Sequence, residues 1–245
     1  MLSRYISACI LLLLCLGSAA RSESTTPVRV LMTVGGVGYH TSIVRQLGAL
    51  PTLELVLLDV DDAPAAISTA NLQQADVLLM YHRDNEADAA EREALLSFIG
   101  RGGGVVVLHH AIANYPNWPH WWRDQIGGLY RLADGDDGKA SSYFYGFAGA
   151  ARPVMPHPVT KRLGPFWWYE DESYAGLWVS ERSRMLLGTT ASGSDGNLAW
   201  IGPSQTARVV YIQPGHGEKI MADPRYIALL EDAIHWTASA LQQNR

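Results

Sequence analysis

Apolar residues follow one another in several short blocks, at residues 28–33, 53–60, 77–81, 105–108 and 208–213, instead of alternating with polar ones. Unbroken β-branched runs of this length predict strands covered on both faces, the usual state of a parallel sheet. Between them the period changes. Residues 41–50 and 87–100 carry helical spacing, the second through Ala90, Ala94, Leu95 and Phe98 before a stop at Gly102, Gly103 and Gly104. Residues 225–241, with Ile227, Leu230, Ala233 and Ile234 on one face, predict a closing amphipathic helix. Strand–helix alternation of this kind predicts βαβ units. The middle is less regular: residues 111–125 hold Pro116, Pro119 and three tryptophans, with a short helix expected over 120–126 and an exposed turn over 133–139. From 144 to 192 the pattern predicts strands and long loops over one end of the sheet, with further strands at 185–190 and 198–201. No internal repeat or linker divides residues 28–243, which are expected to form one α/β domain.

Where the strand-like runs stop, histidine follows. The first leads through Gly35, Gly36, Val37, Gly38 and Tyr39 to His40; the third ends at His82, the fourth at His109 and His110, and the last reaches Gly215, His216 and Gly217. Carboxyl ends of parallel strands share one rim, and ligands of open α/β sheets bind there. Imidazole at that rim suits proton transfer near neutral pH or metal ligation. The glycine loop lacks the ending of a nucleotide-phosphate loop and the spacing of a dinucleotide fingerprint, so a tight turn and a ligand approach stay equally open. His82 is followed by Arg83 and Asp84, which fits a salt-linked surface ring as well as a supporting role; His120 and His235 fall on helical segments and read as structural.

Residues 1–20 read as a secretory signal peptide: Arg4, an apolar stretch from Ile6 to Leu16, then Gly17, Ser18, Ala19 and Ala20, with cleavage expected after Ala20. A polar lead, 21–27, follows. Both cysteines, Cys9 and Cys15, lie in the leader, so the mature chain has neither disulfide nor thiol nucleophile. The expected location is periplasmic or secreted, with no membrane attachment after cleavage. A net charge of −5 without a Lys/Arg cluster argues against nucleic acid as a partner. Assembly into a homo-oligomer is left open.

The remaining candidate groups are acidic and aromatic. Glu170, Asp171 and Glu172 lie between Trp167, Trp168, Tyr169 and Tyr174, where bulky flanks turn a solvated triplet into a candidate cleft. Candidate catalytic residues are His109, Glu172 and His216. Candidate substrate contacts are Tyr39, His40, Trp118, His157, Asp171 and Tyr174, the aromatic ones suited to stacking on a sugar. No motif demands a cofactor; a divalent metal such as Zn on His40, His109 and His216 is the candidate.

These residues occur in stretches by which the chain resembles the ThuA-like (trehalose utilisation) family: Gly35 to His40, Gly104 to His109, Gly127 to Tyr130, His157 to Thr160, Asp171 to Tyr174, Leu198 to Ile201 and Val210 to His216. The resemblance implies a flavodoxin-like three-layer sandwich with a mostly parallel central sheet, similar to class I glutamine amidotransferases, and places His109 where those enzymes carry their nucleophilic cysteine. It also implies disaccharide or glycoside breakdown, in some members through 3-keto sugars. The chain departs from the family at His110, where a small residue is usual, and in its expected export. The resulting expectation is a carbohydrate hydrolase, lyase or isomerase working by His/Glu proton transfer. The alternative is a non-catalytic sugar- or partner-binding module, and amidotransfer is excluded by the missing cysteine.

Overall fold

The computed structural model describes residues 26–63, 65–135 and 138–243; the expected leader and residues 21–25 lie outside them. Strand β1 (Val28–Val34) is followed by α1 (Thr41–Gly48), β2 (Leu53–Asp59), α2 (Thr69–Gln73), β3 (Val77–Met80), α3 (Ala89–Gly100) and β4 (Gly104–Leu108). A 3-10 turn (His109–Ala113), a π-helical segment (His120–Ile126) and β5 (Gly128–Leu129) lead into the long strand β6 (Ser142–Pro153). A short turn (Pro158–Thr160) precedes β7 (Trp167–Ala175), β8 (Trp178–Val179), β9 (Arg184–Gly188), β10 (Asn197–Ile201) and β11 (Val209–Ile212), and α4 (Glu218–Met221) and α5 (Pro224–Gln243) complete the described chain.

Nine strands form one sheet in the order β2-β1-β3-β4-β11-β10-β9-β6-β7. The first five are mutually parallel, in the flavodoxin-like order 2-1-3-4-5 with β11 as the fifth. The other four extend the sheet antiparallel. Alternate residues of the central strands feed two separate cores. Val30, Met32, Val77, Leu79, Val106, Leu108, Val210 and Ile212 pack with Ile43 and Leu47 of α1 and with Leu230 and Ile234 of α5. Leu31, Leu78, Met80, Val105, Val107, Val209 and Tyr211 pack with Leu72 of α2, Leu95 and Phe98 of α3, and Trp118 and Trp121. Burial on both faces is why these strands read as continuous apolar runs.

Two local differences from the sequence pattern have plain causes. Helix α1 stops at Gly48, short of residue 50, because Pro51 disfavours helical geometry in the residue before it. Helix α2 has only five residues, too few for a period, and is started by Ser68, whose Oγ accepts from the Asn71 N–H (3.4 Å).

Candidate active site

Strands β1, β3, β4 and β11 are neighbours running in one direction, so their carboxyl ends do form a single rim. The candidate groups gather at two adjacent positions on it, after β4 and after β11. His109 leaves β4 with φ of +52°, a left-handed backbone that side-chain-bearing residues rarely adopt. Such a turn from strand to helix lifts a side chain clear of the sheet edge, and strain of this kind collects at functional sites. The ring is buried, and its Nδ1 donates to the carbonyl of Gln213 on the neighbouring strand end (2.7 Å). A carbonyl only accepts, so neutral His109 carries its lone pair on Nε2. Nε2 faces the Tyr174 hydroxyl (3.0 Å) and Glu172 Oε2 (3.8 Å).

Glu172 and Tyr174 arrive on β7, at the far edge of the antiparallel extension. Gln213 ties that strand to β11: its Oε1 accepts from Ser173 Oγ and the Tyr174 N–H, both at 3.1 Å. Glu172 is buried and lies 2.7 Å from His216 Nδ1. The carboxylate thus accepts the Nδ1 proton of His216 and leaves Nε2 as the free base on a ring whose side chain is 44% exposed. The loop carrying His216 is held from several sides. Asp171 accepts from the backbone N–H groups of Gly215 (2.6 Å), His216 (3.0 Å) and Gly217 (2.7 Å). Tyr81 and Tyr226 donate to the carbonyls of Gly215 and Pro214 at 2.5 and 2.8 Å. Asp171, expected to contact substrate, is therefore spent on positioning the His216 loop.

The other expected contacts separate from this cluster. Trp118 is buried in the core with α3 and stacked on Trp121 (5.5 Å between centroids), away from the cluster. His157 sits at the opposite end of the parallel strands, against Trp236 (4.8 Å), whose carbonyl accepts from Arg208 just before β11. There its Nδ1 accepts from the Val159 N–H and starts a turn. His40 is exposed six residues beyond β1 at the start of α1, and Tyr39 packs partly buried against the core. Neither joins the cluster. Among the described residues the group able to hold a metal ion is His109, Glu172 and His216, with ligand atoms within 4.8 Å of one another; Glu172 stands where His40 was expected. In the glycine loop, a side chain at Gly36 (φ +71°) would collide with the Arg83 carbonyl, so close backbone passage accounts for the glycine.

His82 and His110 support the rim from behind. His82 is buried among Thr33 Oγ1 (2.8 Å), Tyr115 and Asn114, and burial lowers its pKa to about 4. The salt-linked surface reading of His82 therefore fails. His110 donates to the Tyr81 carbonyl (2.9 Å), stacks on the Tyr81 ring, and is lowered to about 3 by burial and by His109. Both rings are neutral around pH 7.

Three further tyrosines fringe the cluster, and of these the sequence marked Tyr130 alone, as the end of a stretch shared with the ThuA-like family. Tyr145 lies against His216 (5.4 Å), Tyr143 against Tyr145 (5.0 Å) and Tyr130 against Tyr174 (5.1 Å). Burial first and then the Glu172 charge push the Tyr130 phenol up; for exposed Tyr145 the Glu172 charge comes first. Nothing local distinguishes Tyr143 and Tyr145 in sequence. Gln213 did carry a signal, as a lone polar residue closing an apolar run.

The ThuA family model, described as trehalose utilisation, matches residues 29–237. No curated protein matches the chain. Among solved structures, a ThuA-like protein from Parabacteroides merdae aligns with a TM-score of 0.72 at 17% identity, covering 87% of this chain and 91% of that one. One from Bacteroides uniformis aligns at 0.67 and 19% identity, covering 90% and 95%. A chain of the PurLQS structure from Thermotoga maritima aligns at 0.57 and 11% identity, covering 86% and 99%, a likeness of fold alone. With the family match running across nearly all of the described chain, the protein belongs to the ThuA family and is built on a glutamine amidotransferase-like fold.

Proposed function

We propose that the protein is an exported carbohydrate-processing enzyme acting on a sugar or 3-keto glycoside by proton transfer. The observation carrying this reading is the Glu172 carboxylate placed 2.7 Å from His216 Nδ1 and 3.8 Å from His109 Nε2. A carboxylate orienting one imidazole leaves that ring's outer nitrogen as a base, and the His109 ring stands alongside, its Nε2 accepting from the Tyr174 hydroxyl. A carbonyl next to the reacting carbon acidifies its C–H, so removal of that proton by His216 Nε2 opens elimination or isomerisation. Protonation of the departing or neighbouring oxygen by the imidazolium completes the step. The Tyr174 hydroxyl, held protonated by burial, donates to His109 and keeps its ring in register.

Incubation of the purified protein with glycosides and their 3-keto derivatives, with product identification, tests the reading. Turnover by the wild type that disappears in His109→Gln and Glu172→Gln while sugar binding persists supports the enzyme. Sugar binding without turnover in any of the three proteins favours the binding module instead. Export predicts a mature N-terminus at Arg21, measured by N-terminal sequencing of protein recovered outside the cytoplasm.

A second reading, a divalent cation such as Zn on His109, Glu172 and His216, is favoured by the convergence of their ligand atoms. Two imidazoles and a carboxylate are a donor set that zinc accepts with a position left open. Elemental analysis decides it: no stoichiometric metal, and turnover that survives chelation, ends this reading.

A further inference from the structure

Strand β6 breaks its own alternation at the site. From Phe147 to Ala151 its residues alternate between buried and more exposed, whereas Ser142 to Gly146 are all exposed. The pairing with β7 slips in the same place. Phe144 faces Ser173 and Phe147 faces Asp171, so β6 carries one extra residue there, and Gly146 has φ of +69°. This is a β-bulge, a device that re-aims side chains and recurs next to active sites. Before the bulge Tyr143 pairs with Tyr174, the residue whose hydroxyl meets His109. Tyr145 follows two positions on, and its ring reaches His216 at 5.4 Å and Tyr143 at 5.0 Å.

Tyr143 and Tyr145 remain 53% and 68% exposed, although they stand beside the cluster of His109, Glu172 and His216. Large exposed rings grouped beside such a cluster mark a binding surface, since they gain nothing from packing. The expected stacking ring, Trp118, is unavailable in the core. From the bulge, the two exposed rings and the contact of Tyr145 with His216, we infer that Tyr143 and Tyr145, whose rings meet edge to face at 70°, form an angled aromatic wall that takes the apolar C–H face of a sugar ring on one ring and its edge on the other, and presents its carbon atoms to His216. The inference rests on the proposed carbohydrate reading and names its sugar-binding subsite. Bulk and flatness carry the contact; the Tyr145 hydroxyl is secondary.

The test uses the full protein with trehalose and methyl 3-ketoglucoside as probes, read by saturation-transfer NMR and by steady-state kinetics. Tyr145→Ala and Tyr143→Ala are each expected to raise KM by about 3- to 10-fold with kcat little changed, the worth of one aromatic contact. Tyr145→Phe is expected to recover most of the affinity lost in Tyr145→Ala. Glu172→Gln is expected to lose kcat while sugar saturation transfer persists. Both rings are exposed, so the alanine variants should melt with the wild type, and melting curves check this. Turnover with KM unchanged in both alanine variants overturns the wall and leaves the enzymatic reading standing. Absence of both binding and turnover of the probes in the wild type overturns the two together.

Discussion

The parallel half of the sheet and its antiparallel extension differ in how they use their surfaces. In the first, β3, β4 and β11 are buried along their whole length, with helices on both faces. In the second, β6 opens with five exposed residues, and β7 alternates so that Trp168 is 55% exposed beside buried Trp167 and Tyr169. The candidate site lies on the seam between them. The parallel half supplies His109 and His216 at strand ends anchored by a close-packed core. The extension supplies Glu172 and Tyr174, and its bulge supplies Tyr145. The rigid half thus sets where the imidazoles stand, while the accessory half sets their proton inventory and what approaches them.

The largest expected effect breaks the seam's chemistry and spares its architecture. Glu172→Gln keeps the side-chain shape and an oxygen that can accept from His216 Nδ1, but removes the negative charge that stabilises the imidazolium, so kcat/KM on a turned-over glycoside should fall by roughly 10²- to 10⁴-fold. Its urea denaturation midpoint should stay near that of the wild type. Asp171→Asn attacks the mechanical tie instead. Turning an amide toward three backbone N–H groups should cost about 3 kcal/mol and lower Tm by roughly 6–12 °C, measured by calorimetry. If the melt is unmoved, the clamp on the His216 loop is not a stabilising element.

A smaller effect is expected from a change confined to the parallel half. A Cβ at Gly104 would stand 2.7 Å from the Thr237 backbone carbon of α5, so Gly104→Ala should destabilise by about 1–3 kcal/mol through overpacking. Turnover per folded molecule should stay at the wild-type value; a loss of kcat would mean that strain in β4 reaches His109.

The least localised effect is a pH dependence carried by neutral histidines that are buried or half-buried. His82 is lowered to about 4 and His110 to about 3, and burial also lowers His157 and His235. A histidine whose pKa is lower when folded takes up more protons when unfolded. The stability it contributes is complete above pH ~6.5 and is lost as pH falls toward the folded value. Glu91, raised to about 6 by burial and hydrogen-bonded by Tyr115 beside His82, works in the opposite direction between its ordinary value and pH 6. A loss of Tm on acidification from pH 7 to 5 is therefore expected, shallower in His82→Gln and steeper in Glu91→Gln. A Tm that rises over this range in the wild type would contradict the buried neutral assignment.

The parallel strands were legible because burial on both faces leaves its mark at every position. Glycine, helical spacing and strand-end histidines then located the rim, His109 and His216. Glu172 was legible only as one of three adjacent acids: Glu170 is exposed and paired with Lys219, Asp171 is spent on a backbone loop, and Glu172 alone lies between two imidazoles. Trp118 and His157 misled because an aromatic or imidazole side chain suits core packing as readily as a ligand. Tyr145 had no signal at all, since its direction follows from a one-residue slip against β7.

The amino-acid sequence by itself determined the element types, the parallel core, the family and the rim that carries the candidate site, because these follow from short-range periodicity and from residues adjacent in the chain. Only the tertiary structure decided which acid meets which base. Glu172 and His216 are 44 positions apart, and His109 is 63 from Glu172, so their meeting depends on the order of nine strands and the register of β7. Hydrogen bonds and ring contacts act over a few ångströms, and no local pattern encodes distances across a sheet.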